Sequence, residues 1–176
     1  MAEPAPRATA TPDEHRRHAP RAVACFVLTV SDTKTPESDT SGAVIRELLS
    51  AGGHRVAGSA IVRDEPAEVQ RIVREAVANP DVQAVILTGG TGITSRDSTF
   101  EAVEALLEKR LPGFGELFRA LSYQEIGAAA MLSRAQMGVV QRRIVVSLPG
   151  SPQACRLALE KLLVPELGHL VREVSR

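Results

Sequence analysis

VQAVILTGGTG, residues 82–92, is an apolar, β-branched run that breaks into three glycines. Val82 to Thr88 reads as a strand buried on both faces, because it carries no alternating polar positions. Working back from it, Ala22–Val30 (AVACFVLTV) has the same character, and Val56–Val62 (VAGSAIV) is a further strand candidate. Helical spacing separates them. Val44, Ile45, Leu48 and Leu49 form one stripe, begun at Asp39-Thr40-Ser41-Gly42 and stopped by Gly52-Gly53. Val69, Ile72, Val73, Ala76 and Val77 form the next, with Pro66 at its first turn and Asn79-Pro80 at its end. Strand–helix–strand–helix–strand order calls for parallel pairing through right-handed crossovers.

Downstream, a helix is expected from Thr99 to Lys109, and short helices broken by glycine over 111–130. Arg143–Leu148 reads as a strand, with Ala135–Val140 beside it as a hairpin across a solvated Arg142-Arg143 turn. Two closing helices span 152–163 and 165–174. The fold class is α/β, with helices packed on a mostly parallel sheet. Aromatics are only 3% of the chain and Trp is absent, so Val, Ile, Leu and Ala must build the core.

Acidic and basic side chains balance to a formal net charge of zero, which gives no support to nucleic-acid or membrane-surface binding. No stretch approaches the roughly 18 apolar residues of a membrane span. Residues 1–20 are rich in Ala, Pro and charge, lack a signal-peptide apolar run, and read as a disordered tail ahead of one domain, 21–176. A cytoplasmic location is expected. Cys25 and Cys155 form no CxxC or Cys/His cluster and read as buried reduced thiols. His15, His18, His54 and His169 read as surface side chains.

Thr88-Gly89-Gly90-Thr91-Gly92 sits where a parallel strand hands over to a helix. Successive N–H groups in such a turn make an anion nest, and a following helix N-terminus adds positive potential. The natural guest is a phosphate; a ligand-free tight turn is the other reading. Neither G-x-x-x-x-G-K-[ST] nor G-x-G-x-x-G is present, so P-loop and dinucleotide folds lose support. Ser31, Asp64, Asp97 and Pro149-Gly150-Ser151 also follow strands, and such loops converge at one edge of a parallel sheet. Asp64 and Asp97 facing a phosphate could hold Mg²⁺. Asp97 could instead cap the next helix, where Ser98-Thr99-Phe100-Glu101 fits a capping box, and Asp64 could be a solvated charge.

Leu28-Thr29-Val30-Ser31-Asp32, Asp39-Thr40-Ser41-Gly42 and Thr88–Gly92 with Arg96-Asp97 resemble the signature of the MoaB/Mog family, relatives of the gephyrin G domain. Gly113–Arg119, Glu125-Ile126-Gly127, Leu132-Ser133-Arg134-Ala135 and Leu148–Ser151 match in order, and the resemblance spans about residues 22–172. It implies a three-layer α/β/α sandwich that binds molybdopterin. Active members transfer AMP from ATP to the terminal phosphate of molybdopterin with Mg²⁺, releasing pyrophosphate. On that basis Asp64 and Asp97 match the catalytic and metal-binding acids. Thr88, Gly89, Gly90, Thr91 and Gly92 match the pterin-phosphate loop. Ser31, Ser133, Pro149, Gly150 and Ser151 match further pocket positions.

The chain has Phe100 where the family often has Pro. Its 113–135 segment resembles the MoaB branch, some of whose members lack the acids and are inactive; this chain has both. The resemblance therefore implies a molybdopterin adenylyltransferase, with a non-catalytic molybdopterin carrier or scaffold as the alternative. It also implies a homo-oligomer, a hexamer as in MoaB-like members or a trimer as in Mog-like ones. Phe114, Leu117, Phe118 and Leu121 recur at helical spacing and would serve either a core or a subunit contact.

Overall fold

A computed structural model describes residues 19–176, so the expected disorder of the tail falls, up to residue 18, outside the described residues. One six-stranded sheet runs through the molecule: β1 (Ala24–Val30), β2 (Arg55–Val62), β3 (Ala84–Thr88), β4 (Lys109–Arg110), β5 (Gln136–Val140) and β6 (Arg143–Leu148). Spatial order is β2-β1-β3-β6-β5-β4. β2, β1, β3 and β6 are parallel, while β5 runs antiparallel to both β6 and β4. The mostly parallel sheet and the β5–β6 hairpin are as expected.

Helices cover both faces, which makes the three layers. The central strands are buried throughout, so alternate side chains feed different cores. Val27, Ile86 and Val146 pack with α1 (Thr40–Ala51), α4 (Pro112–Ile126) and the C-terminal helices. Leu28, Val85, Leu87 and Val145 pack on the other face against α2 (Pro66–Ala78) and α3 (Thr99–Glu104). Each fully buried aliphatic side chain contributes about 1.5–3 kcal/mol, and this two-sided burial fixes the register, since a one-residue slip would exchange the two cores.

Five local expectations need correction. The helix after the glycine loop stops at Glu104, not Lys109, because Lys109–Arg110 becomes the edge strand β4: the Glu108 and Leu111 N–H groups bond to Val139 and Met137 carbonyls. Residues 112–126 form one unbroken helix despite Gly113 and Gly115. Gly115 is required by close packing, since a β-carbon there would stand 2.8 Å from the Ala135 carbonyl oxygen. The closing helices are continuous. α5 (Pro152–Ala158) passes through a π turn at Leu159–Leu163 into α6 (Val164–Ser175). The π turn ends two residues before Pro165, whose ring lacks an N–H and would crowd the preceding turn of a regular α-helix.

The fourth correction is His54, which is buried rather than at the surface. Its Nδ1 accepts the Val23 N–H at 3.2 Å, which puts the proton on Nε2, facing the Val164 carbonyl at 3.4 Å. The tight turn of the hairpin falls at Gln141-Arg142, both at positive φ, and Arg143 begins β6. No helix among the described residues is long and apolar enough to cross a membrane.

Candidate functional site

The parallel strands β1, β3 and β6 end side by side, and their following loops meet there. Thr29, Ser31, Lys34, Asp39, Ser41, Thr88, Gly89, Gly90 and Gly150 line a cavity of ≈ 220 Å³. The fold thus unites Ser31, Thr88, Gly89, Gly90 and Gly150 from three separate chain segments. Gly89 and Gly90 have φ of 101° and 62°, in the left-handed region open to glycine. The close approach is equally demanding: a β-carbon on Gly89 would stand 2.1 Å from the Val30 carbonyl oxygen.

Thr88, which lines the cavity, also braces the loop. Its fully buried hydroxyl donates to the Pro149 carbonyl at 2.9 Å and touches Cys155 Sγ at 3.2 Å. The Ser41 hydroxyl donates to the Gly150 carbonyl at 2.6 Å, tying α1 to the loop after β6. Asp39, buried at the start of α1, accepts the Gly42 N–H and the Thr29 hydroxyl, each at 2.9 Å. Lys34, on the loop after β1, is the cation of this cavity and also lines the adjoining cleft of ≈ 820 Å³ over β2.

The two expected acids flank the same glycine loop from its far side. Asp64 is buried, and its Oδ1 accepts the Ser98 N–H at 3.2 Å, the Ser98 hydroxyl at 2.7 Å and the Thr99 hydroxyl at 3.3 Å. It therefore supplies, from 34 residues away, the acceptor at the start of α3. The expected capping box does not form: the Ser98 side chain turns to Asp64, and Glu101 pairs with Arg134. Nor does Asp97 cap the helix. Its Oδ2 accepts the Thr94 N–H at 2.9 Å and the Thr94 hydroxyl at 2.6 Å, closing a turn upstream. These bonds, the hydroxyl's first, hold the Asp97 carboxyl below the usual carboxylate range, with the backbone at Gly92 helping.

Each acid lies against a glycine. A β-carbon on Gly90 would stand 2.2 Å from Asp64 Oδ2, and one on Gly92 would stand 2.6 Å from Asp97 Oδ2. Asp64 Oδ2 takes no hydrogen bond among the described residues. No group of three or more His, Cys, Asp or Glu side chains suited to a metal occurs among those residues. A carboxylate pair completed by water and phosphate oxygens fits the demands of Mg²⁺ rather than those of zinc.

Ser133 and Ser151 stand outside the cavity. The Ser133 hydroxyl oxygen accepts the Ala135 N–H at 3.4 Å, and Ser151 caps α5 through the Ala154 N–H at 3.1 Å. Two arginines escaped notice in the sequence as site components. Arg96 bridges Asp32, at 2.8 and 3.1 Å, and Glu65, at 2.9 Å, joining the loops after β1, β2 and β3; its hydrogen bonds hold the Asp32 carboxyl below its ordinary range. Arg134 reaches the carbonyls of Thr91 and Gly92. Their only sequence signal was membership of the Arg96-Asp97 and Leu132–Ala135 motifs.

Comparison with known proteins follows the same lines. A family described as "Probable molybdopterin binding domain" matches residues 26–169. Molybdenum cofactor biosynthesis protein B of Halalkalibacterium halodurans is 50% identical over 165 residues, covering 93% of this chain and 97% of that protein. A crystal structure of a molybdenum cofactor biosynthesis protein B superposes with a TM-score of 0.87 at 51% identity, covering 90% of this chain and 99% of that one. The tungsten cofactor synthesizing protein MoaB from Pyrococcus furiosus gives 0.79 at 40% identity, covering 90% and 100%. With a family match over residues 26–169 and half of its residues identical to a relative covered over nearly its whole length, the chain belongs to the MoaB/Mog family of molybdenum cofactor biosynthesis proteins and carries its molybdopterin-binding domain.

Proposed function

We propose that this protein adenylylates molybdopterin, using ATP and Mg²⁺. The observation that carries the reading is the placement of Asp64 and Asp97, from different strand ends, against successive glycines of one loop. The Gly89–Gly92 loop receives the terminal phosphate of molybdopterin through the Gly90 and Thr91 N–H groups, since the Gly89 N–H already donates to the Leu148 carbonyl and the Gly92 N–H serves Asp97, with Ser31, Thr88 and Gly150 lining the cavity and Pro149, Ser133 and Ser151 bounding the substrate beyond it. A phosphate oxygen of molybdopterin attacks the α-phosphorus of ATP, the α–β anhydride bond breaks, and pyrophosphate leaves. Lys34 lies where an anionic substrate would enter the cavity. Asp64 and Asp97 are the residues to hold Mg²⁺, which when bound neutralises phosphate charge. The remaining catalysis is alignment and fixed dipoles, with no covalent protein intermediate.

Incubating the purified protein with molybdopterin, ATP and Mg²⁺ should yield adenylylated molybdopterin and pyrophosphate. Molybdopterin binding with no transfer would instead make the protein a carrier.

We further propose a homo-oligomer, with a hexamer ahead of a trimer. The apolar stripe on α4 divides: Phe114 and Phe118 are core, stacked at 6.2 Å, while Leu117 is 58% exposed. Tyr123, Ile126, Met131 and Leu132 are also more than half exposed nearby in sequence. An apolar surface of this kind calls for a protein partner.

A further inference from the structure

Arg134 follows the short 3₁₀ segment Gly127–Leu132 and reaches back to the glycine loop. Its Nε donates to the Thr91 carbonyl at 2.9 Å, and one terminal nitrogen donates to the Gly92 carbonyl. The other pairs with Glu101, and the guanidinium carbon lies 4.9 Å from the centroid of the Phe100 ring. The side chain is only 25% exposed. The Gln136 side-chain amide, donating to the Phe100 carbonyl at 2.7 Å, steadies the start of α3 beside it.

A trans peptide is planar, and its C=O and the next N–H point in opposite directions. A guanidinium that fixes the Thr91 carbonyl therefore turns the Gly92 N–H to the opposite side. The Asp97 carboxylate lies against this residue, 2.6 Å from where a β-carbon on Gly92 would stand, and the Gly92 backbone N–H bonds to it. The bond to the Gly92 carbonyl fixes the next peptide in the same way and aims the Ile93 N–H. We propose that Arg134 is a positioning residue for Asp97, acting through the 91–92 peptide. The inference rests on reading Asp97 as a site carboxylate.

Two successive carbonyls, a carboxylate and an aromatic face around one side chain suit a planar five-donor fork. An ammonium group has no comparable fixed geometry and cannot span both carbonyls while stacking on Phe100. Phe100 thereby gains a role that proline at its position would not supply, since the ring is the platform of the clamp.

Amide NMR on the full chain tests the clamp without substrate. In Arg134→Met and Arg134→Lys, the Gly92 and Ile93 amide signals should move. Hydrogen exchange at Gly92 and Thr94 should rise about tenfold or more, as when a charge-assisted hydrogen bond is lost. Amides of β1 and β3 should keep their protection. In the transfer assay, kcat should fall by roughly one to two orders of magnitude as Asp97 loses alignment, while KM for molybdopterin holds within about threefold. Arg134→Lys should not rescue kcat. Unchanged Gly92 signals and exchange in Arg134→Met, or full kcat in Arg134→Lys, would overturn the proposal. Should Arg134→Met fail to fold, Glu101→Gln carries the same test: it loosens one anchor of the guanidinium, and wild-type exchange at Gly92 there would overturn it equally. A wild-type protein with no adenylyl transfer would sink the functional reading alone, because the Gly92 amide still reports the clamp.

Discussion

Asp64 fills the space that a side chain on Gly90 would need: a β-carbon there would stand 2.2 Å from Asp64 Oδ2 and 2.1 Å from Thr99 Oγ1. Gly90 also has φ of 62°. Gly90→Ala should therefore cost about 1–3 kcal/mol through backbone strain and the displaced carboxylate together. Chemical denaturation measures it. Wild-type stability would mean that the loop and Asp64 separate freely, and the site would lose its rigidity.

The two acids should respond differently to removal. Asp64→Ala deprives the start of α3 of its acceptor and should destabilise the fold by about 0.5–2 kcal/mol, besides ending transfer. Asp97→Asn keeps an oxygen for Thr94 and should leave the melting temperature nearly unchanged, yet nearly abolish transfer while molybdopterin still binds. Calorimetric titration with molybdopterin beside the transfer assay separates these. Undiminished turnover in Asp97→Asn would remove its catalytic role.

Burial raises the Cys25 thiol to about 12 and the Cys155 thiol to about 11, and neither side chain is exposed. The thiolate is the reactive form. In the native protein at pH 8 both should resist a thiol-reactive disulfide reagent and react promptly once guanidinium unfolds the chain. Rapid native labelling would show that the layer carrying α5 opens locally.

The four parallel strands were legible because each is a short apolar run bounded by turn residues; in β1, β3 and β6 two-sided burial leaves that mark directly in sequence, while the edge strand β2 is buried only at Val62. β4 was not: Lys109 and Arg110 are exposed, and their strand conformation comes only from pairing with β5. The 15-residue α4 was hidden by glycines that sequence reads as breaks, whereas Gly115 serves contact with Ala135. In the site, Asp64, Asp97 and the glycine loop were visible as motifs. Their local roles were not, because Asp64 acts on Ser98 and Thr99 across the fold. The same holds for Arg134, whose partners lie more than 30 residues away.

Assembly gives the last prediction. Phe114 and Phe118 face the core, so the exposed apolar residues of this region are Leu117, Tyr123 and Ile126 on α4, and Met131 and Leu132 beyond Gly127. Gly127, at φ of 62°, turns the chain there and ends the helix. Zero formal charge adds little self-repulsion between copies. A closed ring would repeat one contact around a three-fold axis, and a two-fold would join two rings. Light scattering coupled to size exclusion should give a hexameric mass. Met131→Glu combined with Leu132→Glu should lower that mass, because desolvating a carboxylate in a subunit contact is unfavourable. Far-UV circular dichroism should stay unchanged, since both side chains lie outside the core. A trimeric wild-type mass would favour Mog-like assembly, and a stable monomer would leave this apolar surface without a subunit partner.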